Sequence, residues 1–583
     1  MYIQRNKSKN SKTGKVYSSV LLCEKYREGK KVKTRTKANL SHLSDQLILS
    51  IENALKSDRE TTVLLKDIAV KQCIDYGYLL VLFHTMKQLR IDHALEKTLS
   101  ESDALWVKAM LIGKLITGGS KLGIFNWLKR EGGICKLLGV DMTGKKVDQL
   151  YYSLGQLWLH QLKIEKKWFR YHQGAKRRIY LYDLTSTYFE GTDNFFAAFG
   201  YNRDGKKGKK QMCVGLLTAE DGFPLRIAAF AGNTADSTTV SGQIRSLKKE
   251  LGVEEIVFVG DRGMHITYNL ENDPELADED IRFITGLTHT QIKTLIAENT
   301  LQLSLFSSEL AEVVVDDRRY ILSVNPDLEW KERAFLNSRR ERCDALVDGV
   351  RRAWAKRCAK NEENRQKQQD GKGKYKHLKT ELNDKDILVL CTKYAVKSYT
   401  RRVEHIVENC GFNKYYTVEV INNESFTVKF NQDEFEKNQS LYGKYVVYSN
   451  VSTQEMTAVE VRGEYKKLQN VEHAFRDLKS DNISIRPVYH LNENQTRGHV
   501  LLCMFAYAII KDLENKLFPF LKEYNRTNKR QLSFNDLTAE LNNIKMCELK
   551  IGEGVTSVMY PELTALQIKI LKVLNINPEN MTV

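Results

Sequence analysis

A chain of 583 residues exceeds what one hydrophobic core usually organises, so several domains are expected. With 42% hydrophobic and 9% aromatic residues it is not a disordered chain, and its net charge of +17 favours a polyanionic partner, nucleic acid foremost. The ten cysteines contain no CxxC pair, no apolar segment follows the basic N-terminus, and the late apolar run Val500–Ile510 is too short for a bilayer; reduced thiols are expected, with no structural zinc, signal peptide or membrane span.

Residues 1–50 are predicted to form a basic β unit. Val16–Leu22 and Lys31–Arg35 read as a hairpin turning at Glu28-Gly29, and Lys7, Lys9, Lys12, Lys15, Lys31, Lys33 and Arg35 are candidates for DNA phosphates. A basic, solvated hairpin fits the same pattern. Residues 51–175 have helical spacing, as in Trp106, Met110, Leu111 and Leu115, broken at Gly118-Gly119 and Gly132-Gly133. This helical domain is a second candidate for DNA binding.

From residue 176 to 289 the order strand, strand, strand, helix, strand is expected. Apolar runs Ile179–Tyr182 and Ile256–Gly260 lead into Asp183 and Asp261, and Val240, Ile244 and Leu247 mark the helix, with Gly252 as its stop. Residues 290–451 read as an inserted α+β domain. It has a hairpin around Asp316-Asp317, a long charged helix, a linker over Asn364–Lys376 and strands near 416–420, 426–430 and 445–448. Residues 452–515 return to the core with a helix that opens on the Ser452/Glu455 capping-box spacing and carries Glu472; residues 516–583 form a helical tail.

Asp at the end of a buried strand is costly unless paired or metal-bound, and three convergent carboxylates suit two divalent cations. Asp183, Asp261 and Glu472 are the candidates, with Glu472 expected to face inward. Tyr465 and Lys479 lie seven residues to either side of Glu472, a spacing that puts all three along one helix face and makes both residues candidates for positioning DNA phosphate.

The stretch Tyr465-Lys-Lys-Leu468-Gln-Asn-Val-Glu472, continued to Lys479, resembles the Tyr-x2-Arg-x3-Glu-x6-Lys signature of the DDE transposases of bacterial insertion sequences, with Leu468 in the Arg position. Asp183-Leu-Thr185, Gly232-Asn233-Thr-Ala-Asp236, Asp261-Arg262-Gly263 and Arg486-Pro-Val-Tyr-His490 look similar too. The resemblance implies an α/β, ribonuclease-H-like mixed-sheet core with a large inserted α+β domain. It implies a transposase that binds inverted-repeat ends, cleaves DNA and joins 3′ ends to target DNA. Two Mg²⁺ ions, replaceable by Mn²⁺, would be held by Asp183, Asp261 and Glu472. Double-stranded DNA, a homodimer on that DNA and a bacterial cytoplasmic setting are implied as well. No Walker A loop is present, so no nucleotide cofactor is expected. Two alternatives share these residues: a ribonuclease-H-like nuclease without strand transfer, and an inactive DNA-binding relative acting as repressor.

Overall fold

The computed structural model describes residues 1–9, 14, 16–29, 31–56, 68–172, 179–191, 193–276, 279–369, 384–422, 425–529, 531–551, 555–579 and 581. They fall into two compact units, Met1–Tyr171 with Asp477–Val583, and His172–Arg476.

The first unit opens with three strands rather than a lone hairpin: β1 (Tyr2–Lys9), β2 (Val16–Glu28) and β3 (Lys31–Asn39), antiparallel in that order. Gly29 makes the expected turn at φ 65°, a conformation that glycine adopts without a Cβ clash. Lys7, Lys9, Lys31, Lys33 and Arg35 are exposed on these strands, whereas Lys12 and Lys15 lie outside the described residues. Lys33 pairs with Glu28 and Arg35 with Glu24.

After α1 (Asp45–Lys56) and β4 (Ile68–Asp75) come α2 (Gly77–Gln88), α3 (Ile91–Glu96), α4 (Glu101–Thr117), α5 (Lys121–Arg130), α6 (Gly132–Leu138), α7 (Asp148–Leu159) and α8 (Gln161–His172). The apolar stripe read from the sequence is the buried face of α4, through Trp106, Met110 and Leu111. Gly118 ends that helix at φ 61°, and Ser120 caps α5 by accepting from the Gly123 amide.

The second unit is built on an eight-stranded mixed sheet. Strands β5 (Ile179–Tyr188), β6 (Gln211–Ala219) and β7 (Pro224–Ala231) form an antiparallel meander. Helix α9 (Ser237–Arg245) then buries Val240 and Ile244, and the chain turns at Gly252, φ 73°. Strand β8 (Ile256–Gly260) pairs parallel to β5. After α10 (Ile266–Asn272), strand β9 (Ile281–Gly286) pairs parallel to β8, and α11 (His289–Ala297) follows. Next come β10 (Leu310–Val315), β11 (Arg318–Val324), α12 (Pro326–Gln369), α13 (Asp384–Cys410), β12 (Tyr416–Asn422), β13 (Ser425–Phe430), α14 (Gln432–Gln439) and β14 (Lys444–Ser449).

The sheet order is β10-β11-β14-β9-β8-β5-β6-β7. The hairpin at Asp316-Asp317, both with positive φ, is therefore real, but it extends the main sheet instead of belonging to a separate insertion. The inserted part with its own core is narrower, from α12 to α14, built on Cys343, Val347, Val350, Val403, Val407, Phe412, Val428 and Phe435. The expected linker is corrected in part: Asn364–Gln369 complete α12, and 370–383 lie outside the described residues.

The final helices of this unit are α15 (Ala458–Lys466) and the start of α16 (Leu468–Leu478). Ser452 and Glu455 do exchange hydrogen bonds, but they close a turn; Thr457 and Glu460 form the box that starts the helix. Beyond lie α17 (Glu493–Asn528), α18 (Phe534–Asn542), β15 (Lys545–Ile551), β16 (Val555–Met559) and α19 (Ala565–Val573). Helix α17, expected with the catalytic core, belongs to the first unit, where it packs on α4 and α7 and buries Val500–Ile510. The tail is not purely helical, because β15 pairs with β4 and β16. That pairing sets Cys73 directly opposite Cys547, and they are disulfide-bonded, which corrects the expectation of reduced thiols for this pair; seven other described cysteines are free. Pairing across 474 residues leaves no local signature. Among the described residues no helix is long and apolar enough to cross a membrane.

Candidate active site

Strand β5 is central and buries Tyr180, Leu181, Tyr182 and Leu184 around Asp183. Asp183 does not end the strand, as the apolar run suggests; β5 continues to Tyr188 beside β6. What ends at Tyr182 is the parallel pairing with β8, where Tyr182 faces Gly260. Asp183 and Asp261 are therefore the next residues beyond the last shared rung of two neighbouring parallel strands, roughly 4.8 Å apart in such a ladder.

Two close contacts hold this edge in place. The Tyr182 hydroxyl lies over Gly215 of β6, where a Cβ would meet it at 2.4 Å, and it donates to Thr239 Oγ1 at 3.0 Å. The Tyr465 hydroxyl lies over Gly286 of β9, where a Cβ would meet it at 2.3 Å, and it donates to Asp261 Oδ1 at 3.3 Å. Asp261 also accepts from the Arg262 amide at 2.8 Å, and Asp183 from the Leu184 amide at 2.8 Å.

Burial raises the Asp183 carboxyl to about 7, and the Asp261 and Asp236 carboxylates add to the rise; the Leu184 amide and the Arg203 guanidinium oppose it. Arg203 Nη2 is 2.5 Å from Asp236 Oδ2. Arg203 and Asp236 are neighbours of the site that the sequence reading left out. In the sequence Arg203 stands only as one charge of the basic stretch Arg203–Lys210, and Asp236 only as part of a motif. This arrangement, a buried carboxyl beside a second carboxylate with incomplete cationic compensation, is a donor set suited to a hard divalent cation.

The third candidate is not in this group. Helix α16 buries Val471, Ala474, Phe475 and Leu478, which leaves Glu472 exposed, contrary to the inward orientation expected of it. Spacing from Leu468 and Phe475 suggests an inward Glu472, but the buried stripe runs one residue to the side, through Val471 and Ala474. Among the described residues no three His, Cys, Asp or Glu side chains converge closely enough to hold a metal ion. The continuous helix face is also corrected. Lys467 separates α15, which carries Tyr465, from α16, and Lys479 falls in the turn after Leu478. Asn470, near the start of α16, donates to the Glu220 carbonyl at 2.8 Å and packs over Gly222, φ 83°, so the helix start is fastened to the β6–β7 turn.

A separate cavity of about 840 Å³ lies within the first unit, lined by Lys114, Lys121, Tyr151, Arg486, His490 and His499 among others. Lys121 is buried with its Nζ 2.6 Å from His499 Nδ1, and burial lowers its ammonium to about 7.

The chain matches the model described as IS1634 family transposase, N-terminal domain, over residues 5–62. It matches the model described as Transposase DDE domain over residues 174–509. No curated protein matches it. The second match runs from before β5 into α17, takes in Asp183, Asp261 and Glu472, and implies a ribonuclease-H-like core, divalent-metal dependence and DNA as partner. With more than half of its length inside that one model, the chain belongs to the DDE transposases of insertion sequences.

Proposed function

We propose that this transposase binds the inverted-repeat ends of its element, hydrolyses the phosphodiester there and joins the freed 3′ ends to target DNA, with Asp183, Asp261 and Glu472 as its catalytic carboxylates. The observation that carries this reading is the Asp183–Asp261 pair at one edge of β5 and β8, with Asp183 held at about 7 by burial and by its neighbours. Two Mg²⁺ ions, or Mn²⁺ in their place, would be held by these carboxylates and would supply nucleophile activation and stabilisation of the leaving oxygen. Asp183 and Asp261 bind from a fixed sheet edge. Glu472, exposed on α16, completes the set when DNA and metal arrive. The Tyr465 hydroxyl orients the Asp261 carboxylate, and Lys479 positions a flanking phosphate. Lys7, Lys9, Lys31, Lys33 and Arg35, with Lys12 and Lys15, contact the end DNA through phosphates. Two copies hold two ends, and no nucleotide cofactor takes part.

The test is single-turnover cleavage of an end duplex in Mg²⁺, followed by strand transfer with pre-cleaved ends. Asp183→Ala, Asp261→Ala and Glu472→Ala should each abolish cleavage while end binding persists. Near-native cleavage by any one variant removes that residue from the site. Cleavage without joining by the unaltered chain would make it a nuclease alone.

A further inference from the structure

Between β5 and β6 the chain makes a loop whose large aromatic side chains face water. Phe195 is 71% exposed, Phe199 65% and Tyr201 83%. Three large rings exposed within seven residues are unusual on a solvated surface and point to a binding role.

The loop backbone is fixed. Phe196 is buried, and its amide is held by the Asn194 side chain at 2.8 Å. Ala198 exchanges backbone hydrogen bonds with Gln211 of β6, and the Gly232 amide donates to the Phe196 carbonyl at 3.0 Å. The Gln211 side chain donates to the Tyr201 carbonyl at 3.0 Å and to the Gly232 carbonyl at 2.9 Å. Gly200 packs so closely on Gly232 that a Cβ would lie 2.0 Å from its carbonyl oxygen. The rings are thus displayed from a braced frame, which lowers the entropy lost when a partner binds.

The surroundings identify the partner. Directly after the rings comes Arg203, whose amide donates to Ser186 on β5 and whose guanidinium pairs with Asp236 beside Asp183. Lys206, Lys207, Lys209 and Lys210 follow, with Lys206 over the Tyr188 ring and Lys209 paired with Glu190 at 2.7 Å. Rings beside a lysine run suit a chain that offers flat faces and negative charge together, which is unpaired DNA.

We propose that Phe195, Phe199 and Tyr201 form a stacking platform for unpaired nucleotides of the DNA strand that enters the Asp183–Asp261 edge, with the following lysines on its phosphates. This rests on the transposase reading for the identity of the strand. Exposed rings stack on any base, so the platform holds a frayed end without reading its sequence.

The experiment measures binding by the full chain, without metal, to a labelled oligothymidylate and to a blunt duplex of matched length at one fixed salt concentration. Phe199→Ala and Tyr201→Ala should each weaken oligothymidylate binding by roughly five- to a hundredfold and leave the duplex unchanged. Phe199→Trp should bind as the unaltered chain does, and Phe199→Leu should not. The side chains replaced are mostly solvated, so folding is not at stake. Oligothymidylate affinity that is absent or insensitive to both alanine variants overturns the proposal. Equal loss on the duplex does so too, as does a change in DNA-free sedimentation, which would make the loop a contact between copies. No cleavage occurs in this assay, so a failed catalytic assignment would show only in the Asp183, Asp261 and Glu472 variants.

Discussion

Replacing Asp183 by Asn should stabilise the metal-free second unit at neutral and alkaline pH, although it removes a proposed catalytic group. Burial, Asp261 and Asp236 raise the carboxyl from its ordinary 3.8 to about 7. Between those values the folded chain holds a proton that the unfolded chain has lost, so stability falls as pH rises from about 4 to about 7 and then levels. At roughly 1.4 kcal/mol per pH unit the full penalty is about 4 kcal/mol, and partial access of Asp183 to water brings it to about 1–3 kcal/mol. A chain with two units need not melt in one step, so the assay is hydrogen exchange in peptides spanning β5 and β8. Asp183→Asn and the unaltered chain should match near pH 4, and the variant should be better protected at pH 8. Mg²⁺ should then protect the unaltered chain more than the variant. A variant less protected than the original at pH 8, or a gap that does not depend on pH, would refute the reasoning.

Two further outcomes are expected. Gly286→Ala places a Cβ where the Tyr465 hydroxyl sits and should lower single-turnover cleavage about tenfold, as Tyr465→Phe should; the double variant should be no slower than either, and additive losses would show that the Tyr465–Asp261 bond is not what Gly286 protects. Lys121 has its ammonium lowered to about 7, so the first unit should gain stability as pH rises from about 7 towards 10.5; Lys121→Met should be more stable by about 1–3 kcal/mol at pH 7, with a gap that closes towards pH 10 in hydrogen exchange of peptides spanning α5, and a gap that stays constant would mean that the lysine titrates in the fold as it does in the unfolded chain.

What was legible in the sequence was local. Apolar runs gave β5 and β8, the Val240/Ile244 spacing gave α9, and Asp316-Asp317 gave the turn between β10 and β11. What was not legible depends on distant pairing. The sequence cannot say that β10, β11 and β14 join β9 in one sheet, or that β15 crosses the chain to meet β4. The two aspartates are legible because each follows an apolar run. The inward orientation expected of Glu472 fails because its spacing from Leu468 and Phe475 suggests a shared stripe, whereas the buried stripe of α16 runs through Val471, Ala474, Phe475 and Leu478. Arg203 and Asp236 were missed because a polar loop residue gains its role only when the fold sets it against Asp183.

The topology explains why only two of the three carboxylates are brought together. In parallel neighbours residues one step past equivalent rungs lie side by side; Asp183 and Asp261 meet this condition through Tyr182 and Gly260, although β5 runs on past Asp183 beside β6. Their proximity is a property of the sheet and needs no ligand. Glu472 stands on a helix fastened to the β6–β7 turn by Asn470, and no strand pairing fixes its carboxylate. A long glutamate on an exposed helix face keeps its rotamer freedom until something compensates its charge. The sheet therefore maintains a costly pair of carboxylates, one of them raised to about 7, while the third group is left outside the pair. Such a division would make metal affinity depend on the state of α16, so that DNA contacts near that helix and cation binding reinforce each other.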